Sequence, residues 1–280
     1  MSTSSQPNLE TGGVILPITE GEPLLRTVER EGSILLAREQ ITITHARYAA
    51  GQQVAGPHIH HHHTDAFYVL EGSLTFEIGC EARTITVSQG GFIAAPPEVA
   101  HSFRTDGDRP ARWLTIHAQD GGFATFMRGL RDGIEVEWDI SKVPTTGGLA
   151  ASEAIVSPDV GDESPAGRNP RCRLRCALPD MRVVEWQLHE RHLNLPLPHH
   201  DHQLVSFFVI EGELEATLAA TTHSVGPGTL ISLPGGAPHT IICRGLRRAR
   251  MLSLHTPAAG SQTTCSTDLR HVANLRTSVD

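Results

Sequence analysis

The stretch Gly56-Pro57-His58-Ile59-His60-His61-His62-His63-Thr64-Asp65-Ala66-Phe67-Tyr68-Val69-Leu70-Glu71-Gly72 decides the reading of this chain. His58 and His60 stand two apart, so on a β-strand both imidazoles point to one face. Four residues separate His60 from Asp65, and Gly72 closes the run behind a Phe-Tyr-Val-Leu strand. Further on, Gly90 to Thr105 contains Pro96, His101 and Phe103. Two imidazoles, a carboxylate and a third imidazole from a later strand are what a divalent metal with open positions requires.

Short strands broken by Gly and Pro flank this stretch. Ser33 to Tyr48, Ser73 to Ile78, Ala82 to Val87, Ala95 to Phe103 and Arg112 to His117 alternate or cluster as strands do. That spacing predicts a barrel or sandwich. From Gly121 the period changes: Phe123, Phe126, Met127 and Leu130 are spaced for one face of a short helix. The second half then repeats the first. Phe207-Phe208-Val209-Ile210-Glu211-Gly212 mirrors Phe67 to Gly72 at an offset of 140. Gly228, Pro234 and His239 mirror Gly90, Pro96 and His101 at 138, as Met251 to His255 mirrors Trp113 to His117. Three landmarks at almost constant offset mark an internal duplication.

The paired motifs resemble those of the cupin superfamily, G…H-x-H-x(3,4)-E-x6-G and G-x5-P-x-G-x2-H-x3-N. His58, His60 and His101 match the ligand histidines, Asp65 falls where the glutamate belongs, and Gly72, Gly90 and Pro96 match as written. Glu98 and Thr105 replace the usual Gly and Asn of the second motif. The resemblance implies an all-β fold of two tandem cupin barrels (double-stranded β-helix, or jelly-roll) with a few short helices. The expected organisation is a flexible arm over 1–20, a metal-bearing barrel over 21–140, a linker over 141–175, a second barrel over 176–258 and a tail over 259–280. In the second barrel Pro198 and Val205 stand where the first histidine and the carboxylate would be, so His200, His202 and His239 are expected to form at most a vestigial site.

Among two-barrel cupins the chain is similar to the quercetin-dioxygenase-like group. That resemblance implies one divalent ion per chain (Fe, Mn, Ni, Co or Zn) on His58, His60 and His101. Asp65 would be the catalytic base, either ligating the ion or hydrogen-bonded beside it. It also implies a small organic substrate, an enolisable or aromatic molecule of flavonol or diketone type, with O2 as co-substrate, and a homodimer. A redox-neutral metal-dependent isomerase, cyclase or lyase is the alternative, as is a non-catalytic small-molecule-binding cupin. Parity with Asp65 and His101 puts Phe67, Val69 and Phe103 on the inward face, as pocket lining or as barrel filling. His61, His62 and His63 fit no ligand spacing and read as a solvated loop. His117 and His255 read as a shared structural position.

Composition narrows the partners. A net charge of −8 over 280 residues, with no basic run, argues against nucleic acid. No apolar run reaches membrane-spanning length. The N-terminus lacks the basic and apolar regions of a signal peptide, and five cysteines in no regular framework read as reduced thiols, so a cytoplasmic protein is expected.

Overall fold

The computed structural model describes residues 13–142, 148–157, 171–188, 203–243 and 248–258. The chain divides into two compact units, Gly21–Gly161 and Asp162–Thr267, the second joined by residues up to Glu20. Each is built from antiparallel sheets, as period-2 segments separated by glycine turns require.

In the first unit a seven-stranded sheet runs in the order Ile155–Ser157, Phe92–Ala95, Thr64–Glu71, Ala111–Ala118, Ile41–Tyr48, Arg30–Arg38, Glu22–Arg26. A five-stranded sheet runs Ser141–Lys142, Gln53–Ile59, His101–Thr105, Ser73–Ile78, Arg83–Ser88. Their facing side chains make one apolar core, with Phe67, Ile93 and Trp113 from the larger sheet meeting Phe76 and Phe103 from the smaller. Gly72 has φ +71°, and a Cβ there would lie 2.6 Å from the Pro110 carbonyl. The motif's closing glycine is therefore needed for both its handedness and the close approach of backbone. The predicted helix spans Phe123–Asp132. Arg128 clamps Glu22 through Nη2 at 2.6 Å and Nε at 2.9 Å, which ties the helix to the outermost strand of the large sheet.

The second unit repeats the plan. A six-stranded sheet runs Val14–Pro17, Thr229–Leu233, Leu204–Glu211, Ala249–Thr256, Arg182–Leu188, Arg171–Ala177, and a three-stranded one runs Thr221–Val225, Leu214–Leu218, His239–Ile242. Strand register confirms the duplication residue by residue. Asp65 faces His117 across paired strands, and Val205 faces His255 at the matching place.

Three expectations need correction. Val14–Pro17, assigned to a flexible arm, pairs antiparallel with Thr229–Leu233; four residues ending in proline are too short to show a period. Within the expected linker, Ser141–Lys142 pairs with Gln53–Ile59 and Ile155–Ser157 with Phe92–Ala95, strands too brief to stand out among Pro, Gly and Ser. Cys172 is disulfide-bonded rather than a reduced thiol. The expected tail, beyond Ala258, lies outside the described residues, as do His200 and His202. No helix among the described residues is long and apolar enough to cross a membrane.

One buried group of the first core gives a pH prediction. His45 is 6 % exposed, and Arg112 Nε points at its Nε2 from 3.4 Å. Burial first, and the guanidinium second, push its pKa down to about 4. A histidine depressed in the fold contributes stability above its unfolded pKa of about 6.5 and loses it as pH falls toward the folded value. A shift to about 4 corresponds to on the order of 2–3 kcal/mol. Urea unfolding of metal-stripped protein at pH 7 and pH 4.5 should show a large difference, and His45→Gln should shrink it by about that amount. An unchanged difference would assign the acid sensitivity to other groups.

Candidate metal centre

Four of the predicted residues meet at one end of the first core. His58 and His101 are direct partners across neighbouring strands, and Asp65 comes from the strand Thr64–Glu71 of the other sheet. His58, His60, Asp65 and His101 are all buried, and one ligand atom from each lies within 4.8 Å of the others. The three rings are held in one tautomer. His58 Nδ1 donates to the Gly56 carbonyl at 2.7 Å, His60 Nδ1 to Asp139 O at 2.6 Å and His101 Nδ1 to Val99 O at 3.0 Å. A carbonyl can only accept, so each Nε2 is left with its lone pair toward the cluster, as a metal-binding imidazole requires.

Charge is arranged to match. Asp65 is 3 % exposed, and its Oδ2 lies 3.2 Å from His101 Nε2 and 3.7 Å from His60 Nε2, its Oδ1 3.5 Å from His117 Nε2. Burial raises the pKa of this carboxyl, but the imidazoles around it, His117 first and then His101 and His60, outweigh it and hold it well below the usual range. Burial, aided by the His101 and His60 rings, pushes His58 down to about 3. A neutral His58 ring and an ionised Asp65 are in the states that bind a cation.

More histidines line the centre than the motif supplies. His63, expected in a solvated loop with His61 and His62, is fully buried and shares Asp139 with them. The Asp139 carboxylate takes His63 Nδ1 at 2.8 Å and the backbone N–H groups of His61 and His62 at 3.0 and 2.8 Å. His117, expected to be structural, stands opposite Asp65 with Phe123 stacked on it at 3.6 Å. The indole of Trp138 lies over His60, its ring centre 4.9 Å away. Only His61 and His62 match the solvated reading: both are exposed, and His61 pairs with Glu98 at 2.6 Å. Glu98, where the motif has glycine, adopts φ +68°, a left-handed conformation costing roughly 1–2 kcal/mol for a side-chain-bearing residue. Phe67, Val69 and Phe103 all lie in the apolar core, and Phe67 comes nearest the cluster, 6.4 Å from His101 between ring centres.

A model of the family described as "Cupin domain" matches residues 44–117 and 184–255, together more than half of the chain. The chain belongs to the cupin family. No curated protein sequence matches it. Among solved structures this cupin is similar to a putative glyoxylate-induced protein from Pseudomonas aeruginosa, with 14 % identity, 94 % of this chain and 96 % of that one covered, and a TM-score of 0.66. It is also similar to a serine-to-alanine mutant of Bacillus subtilis oxalate decarboxylase, with 12 % identity, coverage of 92 % and 80 %, and a TM-score of 0.59. A second structure of that enzyme, from a study of its Mn(II) centres, gives 11 % identity, coverage of 93 % and 81 % and a TM-score of 0.60. At such identities the likeness is one of fold.

The second cupin unit lacks this cluster among the described residues. Val205 fills the carboxylate position inside the apolar core. His239 keeps the anchoring of His101, with Nδ1 donating to Ala237 O at 2.9 Å.

Asp139 is a positioning residue the sequence did not mark. Asp139→Ala should free the 61–63 loop and weaken divalent-metal affinity by roughly 10–100-fold, the usual effect of an outer partner, measured by competition with a metal chelator. Unchanged affinity would show that the loop does not help hold the cluster.

Proposed function

We propose that the first cupin barrel is a metal-dependent dioxygenase site for an enolisable or aromatic small molecule of flavonol or diketone type. The supporting observation is the set of three Nδ1-anchored imidazoles converging on a buried, ionised Asp65. The donors fit a divalent ion: three neutral nitrogens and one carboxylate oxygen suit Fe, Mn, Ni, Co or Zn. A bound ion would supply Lewis acidity toward a substrate oxygen and, when redox-capable, a route for dioxygen. His58, His60 and His101 hold it, and their backbone anchors keep the rings from turning away.

Asp65 is the base. Its Oδ1 and Oδ2 are both inside the cluster, so a carboxylate oxygen is at hand for the acidic proton of an enol or phenol bound there. Phe123 and Trp138 wall the His117 side with apolar surface that suits an aromatic ring and excludes water. A redox-neutral lyase or isomerase is the second reading, favoured by the likeness in fold to an oxalate decarboxylase.

Asp65→Asn separates ligand from base. The protein should retain much of its metal while turnover of flavonols and diketones, followed by oxygen uptake, falls by roughly 10²–10⁴-fold. Unchanged turnover would remove the base assignment. Product formation without oxygen uptake in the wild type would replace the dioxygenase reading by the redox-neutral one.

A further inference from the structure

The centre contains more donors than one set uses. Besides His58, His60, Asp65 and His101, the rings of His60, His63 and His117 each offer one ligand atom within 4.8 Å of the other two. Donors at 2.0–2.2 Å from one ion lie at most about 4.4 Å apart, so small ring movements close either group on a cation. All three rings of the second group are buried, and His60 Nε2 and His63 Nε2 have no hydrogen-bond partner. Buried polar atoms are almost always satisfied, so two such nitrogens on rings whose centres lie 4.2 Å apart call for a shared ligand. Asp139 sets both rings. Its carbonyl takes His60 Nδ1–H and its carboxylate takes His63 Nδ1–H, which in the neutral ring leaves each Nε2 with its lone pair.

His60 has one nitrogen to give, because Asp139 holds the other, so it can ligate in one group at a time. Asp65 belongs to the first group and not to the second. We propose, building on the metal-site reading above, that the centre offers its ion a second, mutually exclusive position on His60, His63 and His117, with His60 as the ligand common to both. The first position is the tighter, since it adds the charge of a carboxylate to three imidazoles. The second offers nitrogen alone, a set that suits Zn(II), Co(II), Ni(II) or Cu(II) better than Mn(II). Phe123, stacked on His117, and Trp138, against both His60 and His63, close it with apolar surface. An ion there does not hold Asp65, so the carboxylate that ligates in one position is a free base in the other.

The test is Co(II) titration of metal-free, full-length, untagged protein, read by equilibrium dialysis and visible absorption. Wild type should bind one ion at saturation, and so should His63→Ala. His58→Ala/His101→Ala, which leaves only His60 and Asp65 of the first group, should still bind one. Its affinity should be lower by more than the roughly 10–100-fold that an outer partner contributes, and a chelator should remove the ion. Adding His63→Ala or His117→Ala to that double variant should abolish binding. No ion in the wild type would overturn both positions, whereas one ion in the wild type and none in the double variant would overturn the second alone. Two ions in the wild type would contradict the sharing of His60, and double-variant binding that survives His63→Ala would place the ion elsewhere. Should the alanine variants fail to fold, Asp65→Asn decides, since it keeps the carboxylate's shape and evens the two positions at three imidazoles each. Anomalous diffraction at the cobalt edge should then show two partly occupied peaks, both beside His60 and together worth one ion. A single peak among His58, His60 and His101 would contradict the second position.

Discussion

His101→Ala, and equally His58→Ala, should strip the ion from the His58–His60–His101–Asp65 position. Outer partners of metal ligands typically contribute roughly 10–100-fold in affinity, and loss of a ligand exceeds that range. His101 is the more telling of the two. It alone comes from the second motif, it is 2 % exposed, and its Nε2 makes the shortest approach to Asp65, 3.2 Å. Removing it takes away one of the four donors and the side chain that packs most closely on the Asp65 carboxylate. Metal retention by both variants, measured by elemental analysis after dialysis against chelator, would overturn the ligand assignment. Circular dichroism of the variants separates loss of metal from loss of fold.

Glu185→Ala should be the most destabilising single change in the second unit, by about 3–5 kcal/mol. Glu185 is 3 % exposed and holds two arginines in two-pronged bonds. Arg175 reaches Oε2 through Nη2 at 2.6 Å and Nε at 3.0 Å, and Arg250 reaches Oε1 at the same two distances. Burial raises the carboxyl's pKa, and the two guanidinium groups outweigh it, so the group stays ionised and the ion cluster persists at neutral pH. Arg175 is fully buried, and truncating Glu185 removes the carboxylate that compensates it. Urea unfolding at pH 7 measures the change, and a loss below about 1 kcal/mol would show that Arg175 is compensated elsewhere.

The duplication explains why that cluster sits where it does. Glu185 pairs with Leu252 across strands as His45 pairs with Leu114, and Arg250 occupies the place of Arg112. One half of the chain thus sets arginine against a neutral, depressed histidine, and the other sets it against a carboxylate. The same divergence separates Asp65 from Val205. The second half is consolidated by an ion cluster in its interior, whereas the first concentrates its buried polarity on histidines.

Much of this was legible in the residues. His-x-His parity, the strand spacing and the repeat at offsets of 140 and 138 pointed to two cupin units and to His58, His60, Asp65 and His101. The remainder depended on contacts that no local period reveals. His63 lies three residues from His60, which fits no strand face; it is turned inward only because Asp139, 76 positions later, accepts its Nδ1–H. Asp139 and Trp138 reach the site because Ser141–Lys142 returns to pair with Gln53–Ile59. His117 did carry a signal, since a histidine near the end of Ala111–Ala118 falls opposite Asp65 near the start of its antiparallel neighbour Thr64–Glu71. Val14–Pro17 and Ile155–Ser157 are too short for periodicity, and their strand character comes from the sheet edges they cover.

We propose that the first cupin unit holds a metal ion. Elemental analysis of the untagged wild-type protein, alongside His101→Ala prepared identically, tests it most directly. At least one divalent transition ion per wild-type chain and a loss of ion in the variant are expected. Wild-type protein grown with metal supplementation that carries none, or a variant that keeps the full complement, would contradict it.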